Sequence, residues 1–191
     1  MTEKNITPIV EEIFSLYEKY GAGEYAGEKV TQLQHMVQAG ELAKNAGYDD
    51  EVILAAFLHD IGHILESEHD QMDGFGTVDH EKVGADFLRE RGFSERLARL
   101  VENHVSAKRY LTLKNPAYYE GLSDASKKTL EYQGGRMTEA EAAAFESDEL
   151  FKEFIDMRFW DEQAKIEDLP LASIEYYKNL MVKYLETRHA N

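Results

Sequence analysis

The chain has 191 residues, 43% of them apolar, with no cysteine and a formal net charge of −16. That length suffices for one domain with a core, and the lack of cysteine excludes disulfides, thiolate nucleophiles and Cys-ligated metals, so any metal here is held by nitrogen and oxygen. A negative field opposes nucleic acid and anionic membranes, but admits a small anion wherever the site itself is locally positive.

The N-terminal MTEKNITPIVEE has no basic segment leading into an apolar one, and no run reaches the roughly 18 apolar residues of a membrane span, so a cytoplasmic protein is expected. Proline occurs three times and the apolar spacing is helical almost throughout. ITPIVEEIFSLYEKYG (6–21) reads as a helix capped by Thr7, with Pro8 at its first position and Gly21 as its stop. VTQLQHMVQAGELAKNAG (30–47) ends the same way at Gly47. DDEVILAAFLHDIGHIL (49–65) opens on aspartate caps and is apolar on every side, which predicts a central helix. ESEHDQMDGFGTVD (66–79) reads as a surface loop, with GFG at 74–76 as a turn or lid and His69 in solvent.

Further helices are expected from Asp79, as a cap for DHEKVGADFLRERG, and from Ser94, for SERLARLVENHVSAKRYL. NPAYYEGLS (115–123) reads as a loop or broken helix, and SDASKKTLEYQ as a helix ended by Gly134 and Gly135. Thr138 and Glu141 form a capping-box pattern. ELFKEFIDMRFWDEQAK and a closing amphipathic PLASIEYYKNLMVKYLETR complete an all-α chain, taken as a single domain over 1–191. His189 near the end is expected in solvent, and most of the other tyrosines as core or groove aromatics.

FLHDIGH (57–63) places His59, Asp60 and His63 in the apolar central segment. A buried carboxylate is costly unless paired or metal-bound. On one helix His59 and Asp60 diverge by about 100°, so they flank one metal or Asp60 bridges two, while His63 lies one turn beyond His59. A hydrogen-bonded core pair explains the dipeptide equally well. His35 in LQHMVQ, His80 in DHEKVG, His104 in LVENHVSAK and Asp161 in MRFWDEQAK are each ordinary alone. Together, four histidines and two aspartates on five helical segments make an all-N/O ligand set in the order H, HD, H, H, D.

That order resembles the HD-domain proteins, whose H…HD…D signature falls on His35, His59, Asp60 and Asp161. His80 and His104 add the ligands of the dinuclear branch. GEYAGEKVTQLQH, LHDIGH, DHEKVGADFL, HVSAKRYL, NPAYYEGLSDASKKTLEYQGGRMTEAE and MRFWDEQAK look most like the PhnZ-like phosphonate oxygenases, relatives of myo-inositol oxygenase. The resemblance implies an HD-domain helical bundle and a mixed-valent Fe(II)/Fe(III) pair bridged by Asp60. His35, His59 and Asp161 would hold one iron, and His80 and His104 the other. With about −2 from the carboxylates against +5 from the irons, the centre keeps roughly +3 for a dianion.

The implied reaction is O2-dependent cleavage of the C–P bond of a 1-hydroxyphosphonate, foremost 2-amino-1-hydroxyethylphosphonate, to glycine and phosphate. The substrate would chelate the first iron, and dioxygen would meet the second. Lys108 and His63 are the phosphonate-binding candidates; Ser126 and Arg158 are further ones, with Arg158 alternatively orienting a carboxylate. Tyr25 would guard the open iron position and Glu28 would sense bound substrate. Lys108 also reads as a solvated helix lysine, His63 as a partner of the metal ligands rather than of substrate, and Tyr25 as a loop tyrosine packing on the surface. No nucleic acid, membrane or protein partner is called for. Two other functions fit the ligand set: an HD phosphohydrolase activating water with two divalent ions, which leaves Tyr25 and Glu28 unexplained, and a non-catalytic ligand-sensing domain.

Overall fold

The computed structural model describes residues 6–25, 27–65 and 79–189. Among them are eleven helices and one isolated antiparallel bridge, Glu24 to Thr31. The chain runs α1 (Ile6–Tyr20), α2 (Gln32–Asn45), α3 (Asp50–Leu58), α4 (Ile61–Ile64), α5 (His80–Glu90), α6 (Glu95–Lys114), α7 (Pro116–Gly121), α8 (Asp124–Tyr132), α9 (Glu139–Glu146), α10 (Phe151–Gln163) and α11 (Ile174–His189). The all-α expectation holds for these residues.

α3 is the axis of the bundle. Asp49 caps it through the amides of Glu51 and Val52, and every side chain from Val52 to Leu58 is buried. A helix apolar all round has no face for water, and α2, α6, α10 and α11 enclose this one. Phe57 stacks on Tyr177 at 4.2 Å and meets Tyr17 at 5.0 Å between ring centres, tying α3 to α11 and α1. Each such ring contributes about 1.5–3 kcal/mol by leaving water. α5 lies across α4 and α6.

Several local expectations need correction. Residues 49–65 do not form one helix: α3 ends at Leu58, and His59 and Asp60 lie in a break before the short α4. Asp60 has φ −104° and ψ 14°, in the bridge region between helix and strand. Thr7 lies inside α1 rather than capping it. Asp79 stands at the N-cap of α5 in a left-handed conformation, φ 55°, with no capping hydrogen bond from its side chain. Residues 115–123 hold α7, with Asn115 capping through the amide of Tyr118. Tyr132 is exposed, and His189 is half-buried. The Thr138–Glu141 capping box forms as the sequence suggests. His69 and residues 74–76 lie outside the described residues.

Candidate metal centre

The break after α3 is what builds the site. In a continuous helix neighbouring side chains point about 100° apart; the turn at Asp60 lets His59 and Asp60 enter the same cavity. α2 brings His35, α5 its first residue His80, α6 His104 and α10 Asp161. All six side chains are buried.

Their arrangement is two pairs of imidazoles around one carboxylate. His35 Nε2 and His59 Nε2 are 3.1 Å apart, and Asp60 Oδ2 lies 3.3 and 3.4 Å from them. His80 Nε2 and His104 Nε2 are also 3.1 Å apart, and Asp60 Oδ1 lies 3.3 Å from each. Asp161 Oδ1 joins the first pair, 3.5 Å from His35 Nε2.

Hydrogen bonding fixes which nitrogen faces inward. The Nδ1 atoms of His35, His59 and His104 sit 2.9, 2.8 and 2.6 Å from the carbonyls of Ala164, Ala56 and Val101. A carbonyl only accepts, so each Nδ1 carries a proton, and in the neutral form that binds a metal each Nε2 turns a lone pair inward. Two lone pairs 3.1 Å apart repel unless a proton or a metal ion lies between them. Asp60 Oδ2 and Asp161 Oδ1 are buried and make no hydrogen bond among the described residues. Facing lone pairs and orphaned carboxylate oxygens are what a metal would satisfy. Nitrogen and carboxylate oxygen donors suit iron among the common metals.

Electrostatics keep the donors ionised. Burial pushes the Asp60 carboxyl up, but the charge of His59 and the close approach of the His104, His35 and His59 imidazoles hold it well below the usual carboxylate range. Asp161 is likewise raised by burial and lowered further by Arg158 and the neighbouring imidazoles. Burial lowers His59, yet Asp60 outweighs it and lifts this imidazole to about 9 in the metal-free protein. Arg158 pairs with Asp161 and Glu162, and its Nε donates to the Tyr118 hydroxyl at 2.7 Å. Arg158 thus touches a carboxylate and also lines the cavity beside it.

A small cavity of about 40 Å³ opens beside the ligands. Tyr25, Glu28, His63, Lys108, Ser126 and Arg158 all line it. Tyr25 stacks on His35 at 3.9 Å between ring centres. Burial first, then the charges of Asp60 and Asp161, keep its hydroxyl protonated. Gly27, at φ 76°, makes the turn that carries Tyr25 and Glu28 toward α2. His63 does not share a helix with His59; it stacks on His80 at 3.8 Å, and its ligand atom lies within 4.8 Å of those of Asp60 and His80. Lys108 is buried, with Nζ donating to Thr129 Oγ1 at 2.7 Å and Gln133 Oε1 at 2.8 Å. Burial, and then Arg158, push its amine well below the ordinary lysine value.

Other lining residues were not singled out from the sequence. Lys165 bridges Glu28 Oε1 at 3.0 Å and Ser126 Oγ at 3.3 Å, while Ser123 Oγ donates to Glu28 at 2.7 Å. Thr129 and Gln133 follow Ser126 at helical spacing on α8, a signal the sequence did contain. Lys165, four residues past Asp161, offered the weaker signal of one more charged side chain.

A model of the HD domain matches residues 33–150, and the chain belongs to the HD-domain family. It is 41% identical to hydroxymethylphosphonate dioxygenase of Gimesia maris, over 93% of this chain and 88% of that one. It is 40% identical to the glycine-betaine-forming (1-hydroxy-2-(trimethylamino)ethyl)phosphonate dioxygenase of Leisingera caerulea, over 84% and 82%. An uncharacterised protein of Acanthamoeba polyphaga mimivirus is 45% identical over 92% and 81%. Within the HD-domain family, the chain is a PhnZ-like oxygenase.

Proposed function

We propose that this protein uses two iron ions and dioxygen to cleave the C–P bond of a 1-hydroxyphosphonate, with 2-amino-1-hydroxyethylphosphonate as the substrate and glycine and phosphate as products. One substrate and one O2 account for every atom of the two products. The observation that carries this reading is the Asp60 carboxylate, whose two oxygens each face a separate pair of imidazoles. In the proposed division His35, His59, Asp161 and one oxygen of Asp60 hold one ion, and His80, His104 and the other oxygen hold the second. Bound iron would supply Lewis acidity toward the hydroxyl and phosphonate oxygens and the electrons that activate dioxygen.

The remaining work falls to the chain's own side chains. Thr129 and Gln133 hold the Lys108 amine at the cavity wall, where a phosphonate dianion would restore its charge and form a charge-assisted pair. Ser126 and Lys165 extend that basic wall. Arg158 keeps Asp161 aimed at the first metal position. Tyr25 covers His35 and occupies the approach to Asp60, so the substrate has to displace it. Glu28 now holds the ammonium of Lys165, and a substrate ammonium is chemically equivalent to the group it would exchange.

The test is an anaerobic and aerobic comparison on iron-loaded protein. Phosphate and glycine should appear in step with oxygen uptake and stop without oxygen. Phosphate release that persists anaerobically would replace this reading with a phosphohydrolase. The Mössbauer or EPR signature of a coupled iron pair should vanish in Asp60→Ala.

A further inference from the structure

Three of the four imidazoles are held at Nδ1 by backbone carbonyls. His80 is the exception. The acceptor facing its Nδ1 is Glu81 Oε2 at 3.4 Å, slightly beyond the 2.7–3.2 Å of a well-formed N–H···O bond. Both atoms are buried, and neither makes a hydrogen bond among the described residues. Each is therefore the natural partner of the other. We infer that Glu81 is the positioning residue of the second metal set, accepting the Nδ1 proton of His80 and strengthening that imidazole as a donor. The inference rests on the two-metal reading above.

Charge accounting supports it. The first set has Asp161 in addition to its share of Asp60, whereas the second has no carboxylate of its own. Glu81 supplies one at the distance of a single imidazole ring. A carboxylate at Nδ1 fixes the tautomer and raises ligand basicity more than a carbonyl does. Glu81 also stands in the first turn of α5, where the helix dipole favours an anion. If the dipole were its only role, its removal would lower stability slightly and leave metal affinity alone.

Anaerobic Fe(II) titration separates the two roles, read by stoichiometry and Mössbauer spectra, with melting temperature as a check on folding. Wild-type protein should take two equivalents. In Glu81→Ala the first should bind as before and the second about 10- to 100-fold more weakly. Glu81→Gln, which keeps an acceptor oxygen without the charge, should fall between them. A second equivalent bound by both variants as tightly as by wild type overturns the inference, and so does an equal weakening of both equivalents. Should the alanine variant not fold, the glutamine variant decides by the same criterion. Wild-type protein taking one equivalent would instead sink the two-metal reading itself.

Discussion

Gly62→Ala is a test of how tightly the centre is built, because Gly62 lies against the backbone of the residue that starts α5. A Cβ at Gly62 would come within 1.9 Å of the His80 carbonyl oxygen and 2.7 Å of its carbonyl carbon, where ordinary contact begins near 3.4 Å. The obstacle is backbone, so no side chain can swing aside. α4 and α5 would have to separate by roughly 1.5 Å, well past the ~0.5 Å tolerance of a preorganised site. Overpacking of this kind costs typically 1–3 kcal/mol, and the backbone contact places it at about 3. For a chain of this size that lowers the melting temperature by roughly 6–12 °C. His80 would move with α5 while His104 stays on α6, so the second metal equivalent should weaken about tenfold or more and the first much less. Thermal unfolding of the metal-free protein and metal titration of the same variant are the assays. Wild-type melting together with wild-type affinity for both equivalents would refute the packing argument.

Lys108→Ala should raise KM about 10- to 100-fold, the value of one charge-assisted hydrogen bond of ~1.5–3 kcal/mol, with kcat much less affected; an unchanged KM with a reduced kcat would contradict its place in phosphonate binding. Tyr25→Phe keeps the ring on His35 and removes the hydroxyl, so oxygen uptake without substrate should rise in iron-loaded protein, as an oxygen electrode would record. Burial and the charge of His80 hold His63 well below the usual imidazole value. Its folded value lies below its unfolded one, so its stabilisation is complete above about pH 6.5 and declines below it. Urea unfolding of metal-free protein at pH 5 to 8 should show His63→Gln losing less stability on acidification than wild type does.

The six residues that converge are legible in the sequence from their order, H, HD, H, H, D, for only His59 and Asp60 stand in an apolar run while His80 and His104 have polar neighbours. The path of the chain between them is not. Nothing in FLHDIGH (57–63) marks a helix end, since the glycine comes after the break and the apolar pattern runs through it. The bridge-region turn at Asp60 is imposed by packing, so His63 reaches His80 rather than His59. Lys165 and Glu81 look like solvated charges in a chain with 37 acidic and 21 basic residues. Lys165 gains its meaning from Glu28, 137 positions earlier, and Glu81 from the missing carbonyl at His80. Neither relation has a local signature. The glycine contact between α4 and α5 is equally tertiary.

The two histidine couples of the centre share one spacing. His35 and His59 are 24 positions apart, and so are His80 and His104, with the same 3.1 Å gap in each couple. No repeated sequence announces this symmetry, but it determines where the chain tolerates a change of length. Neither couple spans positions 65 to 79, so a change of length there alters no sequence interval within a couple. A single residue inserted in α6 ahead of His104 would swing that imidazole about 100° away and spare the other couple, whereas one inserted in α3 ahead of His59 would also displace Asp60, which faces both couples.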